Sequence, residues 1–153
     1  MKARIVIGAL TLSASALVGI AVHEGYRGEA YTPVKGDVPT IGFGTTDGVK
    51  SGDTIEPVRA LVRKLQDVQR FEGALKQCVR VPLHQHEYDA FLSLAYNIGP
   101  GAFCGSTLVR VLNAGQYREA CDQILRWDRF QGAPLRGLTL RRQAEHRQCL
   151  GAP

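Results

Sequence analysis

The distribution of hydrophobic residues divides the chain into an apolar leader and a body of mixed character. Residues 5–22 carry no formal charge, and this run of 18 residues just reaches the length that a helix needs to cross a bilayer. Nine of the 18 are Gly, Ala, Ser or Thr, so the free energy of insertion into lipid should be marginal. Three interpretations remain open: a signal peptide cleaved near Ala14-Ser15-Ala16, a permanent anchor, or a weak anchor that can leave the membrane.

Beyond the leader, the pattern predicts a small β lobe followed by helices. Glycine, proline and threonine are frequent over residues 29–49, and the alternation over residues 40–43 indicates short strands joined by turns. Apolar residues then recur at helical spacing over residues 58–71. The fold class is therefore α+β, mostly helical with a small β lobe. The remaining predictions are helices at about 84–97, at 108–112 and at 117–127, and a loop containing Gly132, Pro134 and Gly137.

Composition and charge describe one basic domain. Of the 153 residues, 44% are hydrophobic, which is enough for a single compact core. The 19 basic and 14 acidic residues give a formal charge of +5, which suits an anionic partner such as a bacterial wall or an acidic membrane surface. No aromatic and basic motif points to nucleic acid. The charges of the helix over residues 58–71 are interpreted as a solvated face: Arg59, Arg63, Lys64, Asp67 and Arg70.

Four cysteines form an even set whose spacing matches no zinc motif. Two disulfides formed in an oxidising compartment are therefore favoured over a metal site, with four buried free thiols as the alternative. Four cysteines allow three pairings. The chain order, and the antiparallel contact expected between the last two helices, favour the pairs Cys78–Cys104 and Cys121–Cys149.

Two carboxylates lie in one short segment directly after the leader. Glu24 follows the apolar run, which would favour the protonated form, whereas Asp37 lies among polar and turn-forming residues that favour the anion. A proton donor and an anion on opposite sides of a sugar linkage are the minimal groups for glycoside hydrolysis. Two acids a dozen residues apart are more often simple surface charges, which is the alternative.

The same segment resembles a known family. Glu24-Gly25, Tyr31 and the run Thr40–Thr45 resemble the catalytic segment of phage endolysins of the muramidase type, glycoside hydrolase family 24. In that family a Glu, an Asp and a Thr form the site. The resemblance assigns the first and the last of these roles to Glu24 and Thr40.

The middle role falls on no acid by the family's spacing, because one residue is inserted between Tyr31 and Thr40. Asp37 is the nearest carboxylate and is expected to act as the base or as the anionic stabiliser. Thr32 and Glu29 are the weaker candidates.

Two later motifs resemble the same family: the aromatic-Asn-x-Gly turn at residues 96–99 with Ser-Thr-Leu after it, and the Arg-Arg-x-x-Glu ending at residues 141–145. They imply substrate-binding roles for Tyr96, Asn97 and Arg142, to which Tyr31 of the first motif is added. The structural alternatives are a helix end at the Asn-x-Gly turn and an ion pair four residues apart on a helix.

The resemblance implies a lysozyme-like fold with a signal-anchor-release segment at residues 1–22 and a catalytic domain at residues 23–153. The segment would hold the enzyme inactive at the host inner membrane, facing the periplasm, and would then leave the bilayer and join the fold. The implied reaction is hydrolysis of the β-1,4 bond between N-acetylmuramic acid and N-acetylglucosamine in peptidoglycan. We expect a monomer that uses no metal and no other cofactor, binds peptidoglycan and the inner membrane, and binds no nucleic acid.

Two other functions compete with this one. A lytic transglycosylase cuts the same bond with the glycan's own hydroxyl and needs only one acid. A basic, membrane-anchored protein without catalytic activity could bind the wall instead.

Overall fold

The computed structural model describes residues 3–152, so Met1, Lys2 and Pro153 lie outside the described residues, and with them the first two positions of the predicted leader. Within that range the chain forms seven α-helices and four short strands. The helices are α1 (Ala14–Glu24), α2 (Pro57–Cys78), α3 (Gln85–Ile98), α4 (Pro100–Cys104), α5 (Thr107–Asn113), α6 (Tyr117–Gln123) and α7 (Arg136–Cys149). The strands are β1 (Arg27–Tyr31), β2 (Thr40–Gly42), β3 (Arg129–Phe130) and β4 (Ala133–Pro134).

The segment Leu17–Arg70 forms one compact unit and contains the predicted β lobe. Strands β1 and β2 pair in antiparallel fashion, with Arg27 opposite Gly42 and Tyr31 opposite Thr40, and an irregularity in register lies between these pairs. The β lobe predicted from the Gly, Pro and Thr content is therefore confirmed.

The second unit joins the residues up to Ala16 with those from Phe71 onward, and α3 lies at its centre. Every residue from Glu87 to Ala95 is buried, as expected of a helix that other elements enclose. Helix α7 packs along α3, and α5 packs against α6. The disulfides Cys78–Cys104 and Cys121–Cys149 are both formed, in the pairing that the sequence favours.

The first part of the leader is an integral piece of this second unit. Ile5 exchanges two backbone hydrogen bonds with Leu83, at 2.8 and 2.9 Å, and the side chain of Leu10 is buried. The chain turns through a 3-10 helix at Ile7–Ala9 before α1 begins. Across residues 3–152, no helix is both long enough and apolar enough to cross a membrane.

Two local predictions are wrong. The helix expected at residues 117–127 ends at Gln123 and continues as a 3-10 turn over Ile124–Arg126. The loop expected around Gly132 is a hairpin of β3 and β4, and Gly137 lies in α7. Helix α7 begins directly after the hairpin because the Leu135 carbonyl already accepts the Thr139 N–H at 2.9 Å.

Candidate active site

Glu24, the predicted proton donor, is the last residue of α1. The helix ends there because Gly25 adopts a left-handed φ of +71°, while its N–H still bonds the Ala21 carbonyl at 3.0 Å. Glu24 is exposed, so the apolar enclosure expected from the preceding run is wrong, although Ile20 and Ala21, one turn earlier on the same face of the helix, are buried.

A tight turn after β2 lies against the Glu24 carboxylate. Ile41 and Thr45 exchange two backbone hydrogen bonds, at 2.9 and 3.0 Å, which close the turn. Gly42 has a φ of +65°, and a Cβ there would lie only 2.8 Å from the Cβ of Ala60. Gly44 has a φ of +84°, and a Cβ there would lie 3.2 Å from Oε2 of Glu24. Backbone conformation therefore favours glycine at both positions, and at Gly42 a side chain would also collide with Ala60.

Thr40, the predicted water-positioning residue, starts β2 and is 5% exposed. Its hydroxyl donates a hydrogen bond of 3.3 Å to the Val38 carbonyl. Tyr31 lies opposite Thr40 in the β1–β2 ladder, and the guanidinium of Arg27 lies 4.2 Å from the centre of the Tyr31 ring. Thr40 and Tyr31 are thus brought together by strand pairing.

Asp37, the predicted anion, lies in the exposed loop between β1 and β2. Its N–H bonds the Val34 carbonyl at 2.9 Å, and its Oδ1 accepts the Val38 N–H at 2.9 Å. Thr32 is exposed just after β1, and Glu29 lies within β1, where it forms a backbone bridge with Thr54. Of the candidates for the middle role, Asp37 is the one whose carboxylate lies in the loop that leads directly into Thr40.

Lys64 is a residue that sequence reasoning assigned wrongly. The interpretation as part of a solvated face fails because Lys64 is 0% exposed, and its Nζ lies 3.7 Å from the position that a Cβ would take at Gly44. The available signal was the stripe Ala60, Lys64 and Val68, three buried positions spaced by four residues on α2. Three residues beyond Lys64, Asp67 accepts the Thr45 hydroxyl at 2.5 Å and joins the turn to the helix.

Arg142, predicted to bind substrate, is buried and belongs to a network of polar side chains. It is 0% exposed, and its Nε lies 2.7 Å from Oε2 of Glu145. Its other nitrogens donate to Oε1 of Glu145 at 2.9 Å and to Oδ1 of Asn97 at 2.9 Å. Burial lowers the pKa of Arg142, and the charge of Glu145 opposes that shift. The structural alternative, an ion pair of Arg141 with Glu145 four residues apart, is also formed, at 3.2 Å, and the substrate-binding role of Arg142 stays a prediction.

Asn97 and Tyr96 follow one another at the end of α3 but have different surroundings. Asn97 is exposed overall while its side-chain oxygen accepts the bond from Arg142. The ring of Tyr96 is half-buried and meets Phe71 edge to face, with 4.9 Å between ring centres. The substrate-binding roles of these two residues, and that of Tyr31, stay predictions.

The segment Leu17–Arg70 contains the carboxyl groups that general acid and base catalysis requires. An exposed carboxyl group lies at a rigid turn, and a second carboxylate lies in the loop that precedes Thr40. Such a pair can cleave a glycosidic bond without a metal ion. Across residues 3–152, no group of three or more His, Cys, Asp or Glu side chains is placed to hold one.

The comparisons with known proteins agree on one family. A family model described as phage lysozyme matches residues 21–145. The SAR-endolysin of Pseudomonas phage phiKMV is 38% identical over 141 residues, covering 90% of this chain and 87% of its own. The endolysin of Salmonella phage P22 is 42% identical over 123 residues, covering 77% and 84%. The solved endolysin from Escherichia coli O157:H7 phage FAHEc1 has a TM-score of 0.86 at 35% identity, covering 95% of this chain and 98% of that one.

The lysozyme-like fold, with the Glu24 carboxylate beside a glycine turn, is that of a glycoside hydrolase. With the family model matching residues 21–145, the chain belongs to the phage lysozyme family. It is an endolysin that hydrolyses peptidoglycan.

Proposed function

We propose that this endolysin cleaves the β-1,4 bond between N-acetylmuramic acid and N-acetylglucosamine with Glu24 as the general acid. The observation that carries the proposal is the position of the Glu24 carboxylate beside Gly44. Gly44 belongs to a turn that two backbone hydrogen bonds close. A helix end and a closed turn fix the direction of the proton donor, and such fixed geometry lowers the barrier to proton transfer.

Asp37 is proposed as the base or anionic stabiliser, and Thr40 as the residue that positions the attacking water. Asp37 is exposed, and its Oδ1 accepts the Val38 N–H in the loop that leads into Thr40. Glu29 is a weaker candidate because its backbone is fixed in the bridge with Thr54, and Thr32 carries no charge. The buried position of Thr40 restricts the directions that its hydroxyl can take.

Four variants test these assignments on purified peptidoglycan: Glu24→Gln, Asp37→Asn, Glu29→Gln and Thr40→Ala. Glu24→Gln should abolish clearing while the circular dichroism spectrum stays unchanged. Asp37→Asn should lower the rate by about 100-fold or more, whereas Glu29→Gln should stay within about threefold of the wild type. Retained clearing by Glu24→Gln would refute the assignment of the acid, and a larger loss in Glu29→Gln than in Asp37→Asn would move the second role to Glu29.

Mass analysis of the released muropeptides identifies the reaction. Hydrolysis leaves reducing N-acetylmuramic acid ends, whereas a lytic transglycosylase leaves 1,6-anhydro ends. Anhydro ends in the wild-type digest would replace the proposed reaction with the alternative one.

The second part of the proposal concerns the leader. Residues 1–22 would anchor the enzyme at the inner membrane, facing the periplasm, and would dock on the body after release. The relative from phage phiKMV carries the name SAR-endolysin, which supports this sequence of events. Five residues of the leader are hydrogen-bonded to the body in the described part of the chain. These are Arg4 with Glu87, Ile5 with Leu83, Thr11 with Gln85, Leu12 with Glu72 and Ser13 with Asp89.

A fusion of residues 23–153 behind an ordinary cleavable signal tests the docking step. We expect the fusion to be exported but to lyse cells poorly, because the body lacks the contacts that the leader supplies. The full-length chain and its Glu24→Gln variant are the active and inactive controls. Lysis by the fusion at the rate of the full-length chain would show that the leader is not needed in the folded enzyme.

A further inference from the structure

Lys64 is a lysine with its whole side chain inside the protein. It is 0% exposed, and its place in α2 lies between the buried residues Ala60 and Val68. Lysine is almost never fully buried without an anionic partner, since removing an ammonium group from water costs several kcal/mol. A basic side chain at this position therefore indicates an acid that meets it inside Leu17–Arg70.

The Glu24 carboxylate is placed to meet it. Oε2 of Glu24 and Nζ of Lys64 lie 3.2 and 3.7 Å from the same point, the position that a Cβ would occupy at Gly44. The absence of a side chain at Gly44 leaves this space to the two charged groups. The turn is held on α2 by the hydrogen bond that the Thr45 hydroxyl donates to Asp67.

We infer that Lys64 is the positioning residue of the general acid: its ammonium group holds the Glu24 carboxyl group against the turn and stabilises the carboxylate that forms during the reaction. When the glycosidic bond breaks, the leaving oxygen takes the proton from Glu24, and Glu24 becomes an anion. A fixed positive charge beside Glu24 stabilises the transition state, in which negative charge has developed on Glu24, more than it stabilises the bound substrate. The charge therefore lowers the activation barrier. The inference rests on the proposed role of Glu24.

A purely structural role for Lys64 predicts something different. Replacing a buried ion pair by an apolar residue of similar volume is often neutral or stabilising, while removing one partner alone is destabilising. Lys64→Met keeps most of the volume and deletes the charge, and because Glu24 is exposed, water can solvate the carboxyl group left behind. Lys64→Met should therefore lose activity while it keeps its stability. If the role of Lys64 were only structural, the variant would lose stability and activity together.

The experiment measures kcat and KM on purified peptidoglycan, together with thermal unfolding, for the full-length chain and its variants. Lys64→Met should lower kcat by about 100-fold with KM within about threefold and with an unfolding midpoint near that of the wild type. Lys64→Arg, which keeps the charge, should recover most of the lost kcat. Lys50→Met is the matched control because Lys50 is exposed, and it should leave kcat unchanged.

Each outcome decides the matter. A Lys64→Met protein with wild-type kcat would overturn the inference, as would a Lys64→Arg protein no more active than Lys64→Met. If Lys64→Met does not fold, the double variant Lys64→Met with Glu24→Gln should fold better, because it also removes the acid that lost its partner. Equal failure of the two proteins would overturn the pairing. An active Glu24→Gln protein would instead refute the proposed general acid, which keeps the two failures distinct.

Discussion

The side chain of Asp89 binds Ser13 twice: its Oδ2 accepts the Ser13 hydroxyl at 2.7 Å and its Oδ1 accepts the Ser13 N–H at 3.1 Å. Asp89 is 3% exposed and belongs to the fully buried part of α3, whereas Ser13 lies at the start of α1 in the leader. The leader is therefore fixed in the folded enzyme by directed polar bonds and not only by apolar contact.

Replacing Asp89 by Ala should destabilise the folded enzyme by about 2–4 kcal/mol, because both Ser13 donors lose a charged acceptor. Chemical denaturation of the purified full-length chain measures the change. Asp47→Ala, at an exposed ion pair with Arg70, is the control and should change stability little, because solvent screens the pair. Equal effects of the two substitutions would mean that the leader contributes little to the fold.

Arg142→Leu should destabilise the protein by about 3–5 kcal/mol, because it leaves the Glu145 carboxylate buried without its main partner. The double variant Arg142→Leu with Glu145→Leu should recover part of that loss. Arg147→Leu, on an exposed position of the same helix, is the control for leucine in α7. A stable Arg142→Leu protein with reduced peptidoglycan binding would restore the substrate-binding role.

The buried phenol of Tyr88 should make the stability of the folded protein depend on pH in the alkaline range. Burial, and a hydrogen bond of 2.6 Å to Glu72, raise the pKa of Tyr88 above its ordinary value of 10.0. With a raised pKa in the folded state, this group's contribution is complete below pH 10 and is lost as pH rises, because the unfolded chain releases the proton first. Stability should then fall by up to about 1.4 kcal/mol per pH unit from this group.

Urea unfolding of the wild type and of Tyr88→Phe between pH 8 and 11 checks this dependence. Tyr88→Phe should start from a lower stability, because it lacks the bond to Glu72, and should lose less as pH rises. Tyr117→Phe, whose hydroxyl bonds the Pro82 carbonyl at an exposed site, is the control and should keep the wild-type slope. Parallel slopes in the wild type and Tyr88→Phe would assign the alkaline loss to other groups.

Alanine substitutions at two glycines with nearly the same φ can distinguish the cost of backbone strain from the cost of a steric clash. Gly42 and Gly48 have φ of +65° and +67°, but only Gly42 has an atom in the way, the Cβ of Ala60 at 2.8 Å. Gly48→Ala should cost about 1–2 kcal/mol from backbone strain alone, and Gly42→Ala should cost more. Gly42→Ala should also lower the rate of peptidoglycan clearing, because the turn that carries Gly44 would shift. Equal costs in stability and rate would contradict a tight turn.

The sequence predicted the regular elements well because their periodicity is local. Helices α2, α3 and α5 follow apolar spacing and caps, and the β lobe follows its glycines and prolines. The hairpin of β3 and β4 was missed because strands of two residues show no alternation. The site was harder: the apolar residues Ala60 and Val68 on either side of Lys64 indicate its burial, but the turn at Gly44 that it meets lies 20 residues earlier in the chain, and no local pattern displays that contact.

The leader shows the same limit at longer range. Leu12 bonds Glu72 and Ser13 bonds Asp89, across separations of 60 and 76 residues. Hydropathy alone describes residues 5–22 as a marginal membrane segment, and it gives no information about which carboxylates receive their polar groups. Pairings over such distances are set by tertiary structure.

Three acids of the body accept hydrogen bonds from the leader: Glu72, Glu87 and Asp89. They require particular donors in the leader, which hydrophobicity alone does not supply. Arg4 reaches Glu87 with two hydrogen bonds, at 2.7 and 3.0 Å, while its guanidinium lies 3.5 Å from the centre of the Tyr117 ring. A transplanted anchor of equal hydrophobicity, taken from an unrelated protein, would hold the enzyme at a bilayer yet offer these acids nothing to bind. The stability of the folded enzyme therefore depends on the order of amino acids in the leader and not only on the leader's hydrophobicity.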